Sequence, residues 1–450
     1  MNKILYAVLV AAVGFGTANA QQKMMKIEYK DGTEELRNVS EVSKITFINE
    51  GQVDPSTKMV DLGLSVKWAT YNVGASNPWE AGNFYAYGEI EPKSEYTLEN
   101  YKWYCDWEGE DHDQWEEYYK LGATITGTNY DVAHVKWGDQ WRIPTRDEWR
   151  ELINNCEFTW TGMNGVTGAV VTSRINGNSI FLPAAGNMVG SEHTHDQLGC
   201  FYWTSTEYEQ SDITQECRNY RANIDASNRS AEGYDYPDVG FSIRPVYGPV
   251  PAETLPTYTA PSEPVDLGLS VKWAPFNIGA KAASETGDFI CWGELTEKQY
   301  SHVYNYKWYD PLTGEYIEIG DQISDTKYDT AKALWGNGWR LPSEAEIKEL
   351  LEKCTWKAET YGYTVTGPNG KSIFLPACGM QGYKGAPRGS IQSGYYMTGS
   401  ANVNTDKTGK KMTSTAVTLR FSRGVGNKFN DPQVTYSSKA GGIQVRPVHD

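Results

Sequence analysis

Trp137-Gly-Asp-Gln-Trp-Arg-Ile-Pro-Thr-Arg-Asp-Glu-Trp-Arg-Glu-Leu-Ile-Asn-Asn-Cys156 returns two hundred residues later as Trp335-Gly-Asn-Gly-Trp-Arg-Leu-Pro-Ser-Glu-Ala-Glu-Ile-Lys-Glu-Leu-Leu-Glu-Lys-Cys354. Both stretches spell a helix with a written start. Thr145 with Glu148, and Ser343 with Glu346, have the spacing of a capping box, in which hydroxyl and carboxylate each take one of the orphan amides of the first turn. Pro144 and Pro342 hold the preceding residue extended. Trp149, Leu152, Ile153 and Cys156 fall at i, i+3, i+4 and i+7, as do Ile347, Leu350, Leu351 and Cys354. Each helix is therefore expected to bury one face, with a cysteine at its far end.

Working outward, the flanks repeat too. Val60-Asp-Leu-Gly-Leu-Ser-Val-Lys-Trp-Ala69 recurs at 265–274, Asn72-Val-Gly-Ala75 as Asn277-Ile-Gly-Ala280, and Tyr101-Lys-Trp-Tyr104 as Tyr306-Lys-Trp-Tyr309. Tyr130-Asp131 and Tyr328-Asp329 open a short first helix. Ser179-Ile-Phe-Leu-Pro183 recurs as Ser372-Ile-Phe-Leu-Pro376, Tyr202-Trp-Thr-Ser-Thr206 more loosely as Tyr396-Met-Thr-Gly-Ser400, and the copies close on Ile243-Arg-Pro-Val246 and Val445-Arg-Pro-Val448. Strands, two helices, then strands argue an α+β class, and a unit this long is a domain rather than a solenoid repeat. The expectation is one domain over 59–247 and another over 265–450, each a twisted mixed sheet with two helices. The proline-rich segment 248–264 reads as a semi-rigid linker.

Residues 1–20 read as a signal peptide: Lys3, an apolar run from Ile4 to Phe15, then Ala18-Asn19-Ala20. No later stretch is apolar and long enough to span a membrane. Residues 21–58 read as a small β segment and spacer. Asp31-Gly32 would turn a hairpin between Met25-Lys-Ile-Glu-Tyr29 and Val39–Phe47. This segment resembles leader segments of exported Bacteroidetes surface proteins.

The net charge of −16 argues against a nucleic-acid partner, since nothing offsets phosphate repulsion. Sixteen Trp and thirty Tyr supply core mass and suit contact surfaces for protein or carbohydrate. Seven cysteines leave at least one thiol unpaired.

Gly-Trp-Arg-Leu-Pro-Ser-Glu-Ala-Glu at 338–346, with Gly-Phe-Ser-Ile-Arg-Pro-Val at 240–246, resembles the Fibrobacter succinogenes major paralogous domain. That family is similar in turn to the formylglycine-generating-enzyme branch of the C-type lectin fold and to the ligand-binding ends of diversity-generating-retroelement proteins. The resemblance implies that the first and last strands of each domain pair, with two helices on one side. It also implies that the irregular strands before the closing Arg-Pro-Val present a binding face. Cys217-Arg-Asn-Tyr-Arg221 looks like part of the formylglycine-generating motif, but the position of its second cysteine holds Asp212. A copper site needs paired thiolates, so no catalytic residue is expected. The other reading of Cys217 is a cross-hairpin disulfide to Cys200. His193 and His195 stand two apart in a loop with Asp196, a third ligand is not evident, and the stretch reads as polar loop, so no metal or other cofactor is expected.

Strand alternation then assigns the binding face. Tyr220, Ala222 and Ile224 point inward, and Asn219, Arg221, Asn223 and Asp225 outward. In the second copy Val417, Leu419 and Phe421 point inward, and Thr418, Arg420 and Ser422 outward. The framework repeats while the outward positions change chemistry, as recognition surfaces do. The expected function is an exported, adhesin-like binding protein, of the kind found at fimbrial tips, that recognises an extracellular protein or glycan. The alternatives are a secreted formylglycine-generating-type enzyme and ligand-free spacer domains.

Overall fold

The repeated stretch folds as its caps dictate. Thr145 accepts from the Glu148 amide and Glu148 reaches back, opening helix α2 (Arg146–Asn155); Ser343 and Glu346 do the same for α4 (Glu344–Lys353). Asp131 and Asp329 cap the preceding short helices α1 (Val132–Trp137) and α3 (Thr330–Trp335), each also accepting from the amide just past the short strand that follows, Ile143 or Leu341. Each carboxylate thereby locks helix to strand. Cys156 and Cys354 lie one residue beyond the helices, as C-caps leading into the next strand. The helical period runs on past the real helix end.

These elements come from a computed structural model that describes residues 58–104, 118–208, 218–298, 301–336, 338–382, 393–407, 409, 411–423 and 432–450, and the backbone of strands 24–28 and 34–38. The expected signal peptide lies outside the described residues. The N-terminal unit, to Asp54, contains a hairpin pairing Met24–Glu28 with Glu34–Asn38. Its second strand thus comes earlier than the expected Val39–Phe47, which lies outside the described residues.

The architecture of the unit from Pro55 to Asp450 is α+β and sheet-rich. No described helix is long and apolar enough to cross a membrane. In place of one continuous sheet per copy, each copy has several small ones, and every described sheet takes its strands from one copy. The closing strand Val246–Tyr247 pairs with Lys67–Ala69 on one side and Trp141–Arg142 on the other; Val448–His449 likewise joins Lys272–Trp273 to Trp339–Arg340. Next comes an antiparallel meander, Cys156–Met163, Val166–Ser173 and Ser179–Pro183, matched by Thr355–Glu359, Gly362–Thr366 and Ser372–Pro376. A second meander, Cys200–Glu207, Asn219–Ile224 and Arg229–Asp235, corresponds to Ser393–Ala401, Thr415–Ser422 and Gln433–Ser438.

The two cores hold their volume by exchange. In the first, Trp149 packs edge-on against Trp68 at 4.7 Å and stacks on Tyr202 at 5.3 Å, in a cluster that also holds Ala169 and Ile224. In the second, the helix contributes the smaller Ile347, and the matching strand positions grow to Tyr363 and Phe421, whose rings meet at 5.1 Å. Cys200 faces Ile224, whereas Gly394 faces Phe421; a Cβ on Gly394 would come within 2.3 Å of the Phe421 ring. Such compensated exchanges keep packing density where a single change would leave a void or a clash.

Three repeated motifs converge on one buried side chain. Arg244 is fully buried and donates to Asn72 Oδ1 (2.8 Å), to the carbonyls of Ala69 (3.0 Å) and Thr70 (2.8 Å), and to Phe181 O (2.9 Å). Arg446 donates to Asn277 Oδ1 (2.7 Å), Ala274 O (3.1 Å) and Phe374 O (3.0 Å). These acceptors are all neutral. Burial pulls both guanidinium groups below their ordinary value, Arg446 to about 10.

The segment between the copies is docked rather than spacing them. Gly248 and Pro249 carbonyls accept from Arg142, which also clamps Glu148 through two hydrogen bonds. Leu255, Tyr258 and Ala260 pack on the second copy, and Glu253 accepts from Thr296 and Lys307. The copies also touch directly. Tyr130 Oη donates to Tyr304 O (2.7 Å), Asn129 to Asp310 (2.7 Å), and Tyr119 meets the rings of Tyr304 (4.6 Å) and His302 (5.6 Å).

Two predictions follow from these contacts. Arg244→Met leaves at least four acceptors without their donor, and breaking a buried polar set of this kind costs about 3 kcal/mol or more. Chemical denaturation should show that loss, and Arg244→Lys, which lacks the planar fork, should not restore it. The second concerns His302, whose Nδ1 accepts from Tyr304 N (3.1 Å) and whose imidazole burial pushes down to about 4. Its folded value lies below the unfolded value of about 6.5, so its stabilisation is complete above that pH and is lost as pH falls toward 4, by up to roughly 3 kcal/mol. Denaturation midpoints between pH 7 and 4.5 should fall less steeply in His302→Asn; parallel curves would contradict this.

Candidate functional site

The alternation of the Asn219–Ile224 strand is as expected: Tyr220, Ala222 and Ile224 are buried against α2 and the core, as are Val417, Leu419 and Phe421. The other face is not a solvent face. Asn219 and Thr418 are 5 % and 1 % exposed, which corrects their assignment as outward ligand contacts. Arg221, Asn223, Arg420 and Ser422 are half-buried. A second apolar layer includes residues of this sheet: Trp203 of the neighbouring strand with Phe241 in the first copy, and Met397 and Ala401 of the neighbouring strand with Ala416 in the second. Arg221 lies over the rings of Phe201 (4.9 Å) and Phe241 (5.4 Å) and pairs with Asp235 at 3.2 Å; its stem shields apolar surface. Arg420 lies over Tyr395 at 5.3 Å. Asp225 belongs to the hairpin turn. Its Oδ1 accepts from Ser227 N (2.7 Å), Ser227 Oγ (2.8 Å) and Asn228 N (2.7 Å), and the Ser227 amide foremost holds its carboxyl below the usual range.

What this sheet does expose is a tyrosine–arginine patch at the end of the strands distant from that turn. Tyr208 N donates to Arg218 O, fixing the two strands there at 3.0 Å. Arg218 lies over both Tyr234 (4.9 Å) and Tyr236 (4.8 Å), and Tyr208 sits 4.6 Å from Tyr234 and 5.0 Å from Tyr220. Beneath them Arg146 of α2 stacks on Tyr220 at 3.9 Å and pairs with Glu232, which also binds Arg150 at 2.6 Å. Tyr234 and Tyr236 are each 41 % exposed although their rings are held in place. The pairing register maps these residues onto the second copy. Tyr234 corresponds to Tyr436, 48 % exposed, while Tyr208, Arg218, Tyr220 and Tyr236 correspond to Asn402, Thr415, Val417 and Ser438. The sequence reading missed this patch. The available signal was the mismatch with the second copy beyond the strand ends.

Cys200 is a free, fully buried thiol whose Sγ donates to Leu182 O at 3.3 Å, correcting its assignment to a disulfide. It lies opposite Ile224, at the other end of the hairpin from the Tyr208–Arg218 contact, and fills the space that Phe421 takes in the second copy. Cys217 and Asp212 lie outside the described residues. Burial raises every described thiol, Cys156 and Cys354 to about 11 and Cys291 and Cys378 to about 12, so none is primed as a thiolate at neutral pH.

The His193–Asp196 loop is pinned by its rings. His193 Nε2 donates to Ala185 O (2.6 Å) with its ring on Phe84, and His195 Nδ1 meets Asn187 Oδ1 (3.0 Å) with its ring on Phe201. Among the described residues no group of three or more His, Cys, Asp or Glu is arranged to hold a metal ion.

No protein-family model, no curated protein and no solved structure matches this chain.

The thiol assignment has a direct check. Iodoacetamide without reductant should leave Cys200 unmodified in the folded protein and alkylate it fully in denaturant, by peptide mapping. Cys200 that resists alkylation in denaturant until a reductant is added would restore the disulfide.

Proposed function

We propose that this chain is an exported, non-enzymatic binding protein. In this reading 59–247 and 265–450 form two tandem C-type-lectin-like domains, and 1–20 directs export. The ligand is an extracellular protein or glycan, met on the strands that precede each closing Arg-Pro-Val. The contact lies at the exposed end of those strands rather than along their second face.

The tyrosine–arginine patch carries this reading. Tyr and Arg are the residue types that dominate interface energy, and rings fixed before contact lose little entropy on binding. The fold does not require the patch, since the second copy keeps the same strands with Asn402, Thr415 and Ser438 in those places. That dispensability favours recognition over a ligand-free spacer. Asp212, at the position of the motif's second cysteine, favours it over copper-thiolate chemistry.

The test uses the full mature chain on an array of extracellular-matrix proteins and mammalian glycans. Tyr234→Ala with Tyr236→Ala, and separately Arg218→Ala, should weaken capture of whatever the array identifies at least about tenfold, or 1.4 kcal/mol. The denaturation midpoint should be nearly unchanged in the tyrosine double variant. Capture that survives both variants would remove the patch from the site.

A further inference from the structure

We propose that the first copy carries a second binding site, for a pyranose ring of a glycan, in the cleft between the 74–82 loop and the 183–197 segment. The cleft measures about 430 Å³ and is open to solvent, with Trp79, Ala81, Pro183, Ala185, Asp196 and Gln197 in its wall. It shares no residue with the tyrosine–arginine patch, so the two sites stand or fall separately.

Trp79 supplies the first argument. Its loop shares two hydrogen bonds with that of the second copy: Glu80 accepts from Ser76 N (2.6 Å) as Glu285 accepts from Lys281 N (2.7 Å), and Asn72 Nδ2 donates to Ala81 O as Asn277 Nδ2 donates to Thr286 O, each at 2.8 Å. The second copy builds this loop with Ser284 where the first has Trp79. The loop therefore does not need the indole. Trp79 is half-buried, belongs to neither core cluster of its copy, and lines the cleft.

Gln197 and Asp196 supply the second. Gln197 is held in the left-handed region (φ 60°), as is His195 (φ 56°), a conformation that non-glycine residues adopt rarely and that gathers at ligand sites. The Gln197 carbonyl accepts from Thr167 N at 2.7 Å, which fixes the amide plane. Its NH₂ is then 3.5 Å from Asp196 Oδ1, too long to satisfy either group. An amide donor and a carboxylate acceptor thus stand side by side, both exposed, in a cleft that Trp79, Pro183, Ala184 and Ala185 also line.

A pyranose fits that combination. Its C–H face is apolar and lies flat on an aromatic ring, and its edge carries neighbouring hydroxyls, one able to donate to Asp196 while the next accepts from Gln197. A small apolar site with a few convergent polar groups is the usual form of a small-ligand pocket.

Saturation-transfer NMR on the full mature chain tests this with methyl α-D-mannopyranoside, methyl β-D-galactopyranoside, methyl N-acetyl-β-D-glucosaminide and methyl α-L-fucopyranoside, and with an Arg-Gly-Arg peptide. At least one pyranoside should receive saturation at its ring C–H protons. Trp79→Ser, which installs the residue of the second copy, should reduce that signal at least about tenfold, and Asp196→Asn should weaken it. Tyr234→Ala should leave it unchanged. If Trp79→Ser lowers the denaturation midpoint, the exposed Asp196→Asn decides. Saturation of none of the pyranosides, transfer to the peptide alone, or a signal that persists in Trp79→Ser or in Asp196→Asn would overturn the proposal.

Discussion

A cation without an anion sits at the centre of each copy. Desolvating a guanidinium costs several kcal/mol, and a protein usually recovers this with a carboxylate. Here the recovery comes from carbonyl dipoles and one asparagine, collected from segments far apart in the chain: Ala69, Thr70, Asn72 and Phe181 around Arg244, and Ala274, Asn277 and Phe374 around Arg446. The planar fork accepts only an arrangement in which the strand at 67–69, its following loop, the meander strand at 179–183 and the closing strand are all in place. Asn72 and Asn277 extend the network by donating onward to Ala81 and Thr286, which shapes the loop that carries Trp79 in one copy and Ser284 in the other. The arginine thus connects the fold to the cleft.

This network explains which parts of the structure were legible in the sequence. Asn-Val-Gly-Ala, Ser-Ile-Phe-Leu-Pro and Arg-Pro-Val stand out because each recurs, and each recurs because it serves the same arginine. The capping boxes were legible because their hydrogen bonds are local and bind residues three apart. What is not local was not legible. Period-two alternation at 219–225 tells which side chains share a face, but says nothing about what covers that face. Phe201 and Phe241 turned Arg221 from surface into lining. The proline spacing of 248–264 suggested a spacer; the side chains of Leu255 and Tyr258 make it a strap. Cys200 could be understood only once the pairing register set it opposite Ile224 and set Gly394 opposite Phe421.

The same register separates framework from variation. Buried positions change in compensated groups, as Trp149, Ala169 and Ile224 do against Ile347, Tyr363 and Phe421. The exposed strand ends and the 74–82 loop change without compensation, because nothing in the core depends on them. Such positions are free to acquire binding chemistry. In the first copy they hold tyrosines, an arginine and a tryptophan whose rings are partly exposed to solvent.

The account rests on each arginine and its asparagine acting as one unit, and a double-mutant cycle tests this most directly. Arg446→Met, Asn277→Ala and the pair would be compared by chemical denaturation of the full chain. Either single change should already forfeit most of the network, so the double variant should be less destabilised than the sum by at least about 1.5 kcal/mol. Effects that add to within about 0.5 kcal/mol would show that the two side chains contribute independently, and would contradict the view that the buried guanidinium organises the fold.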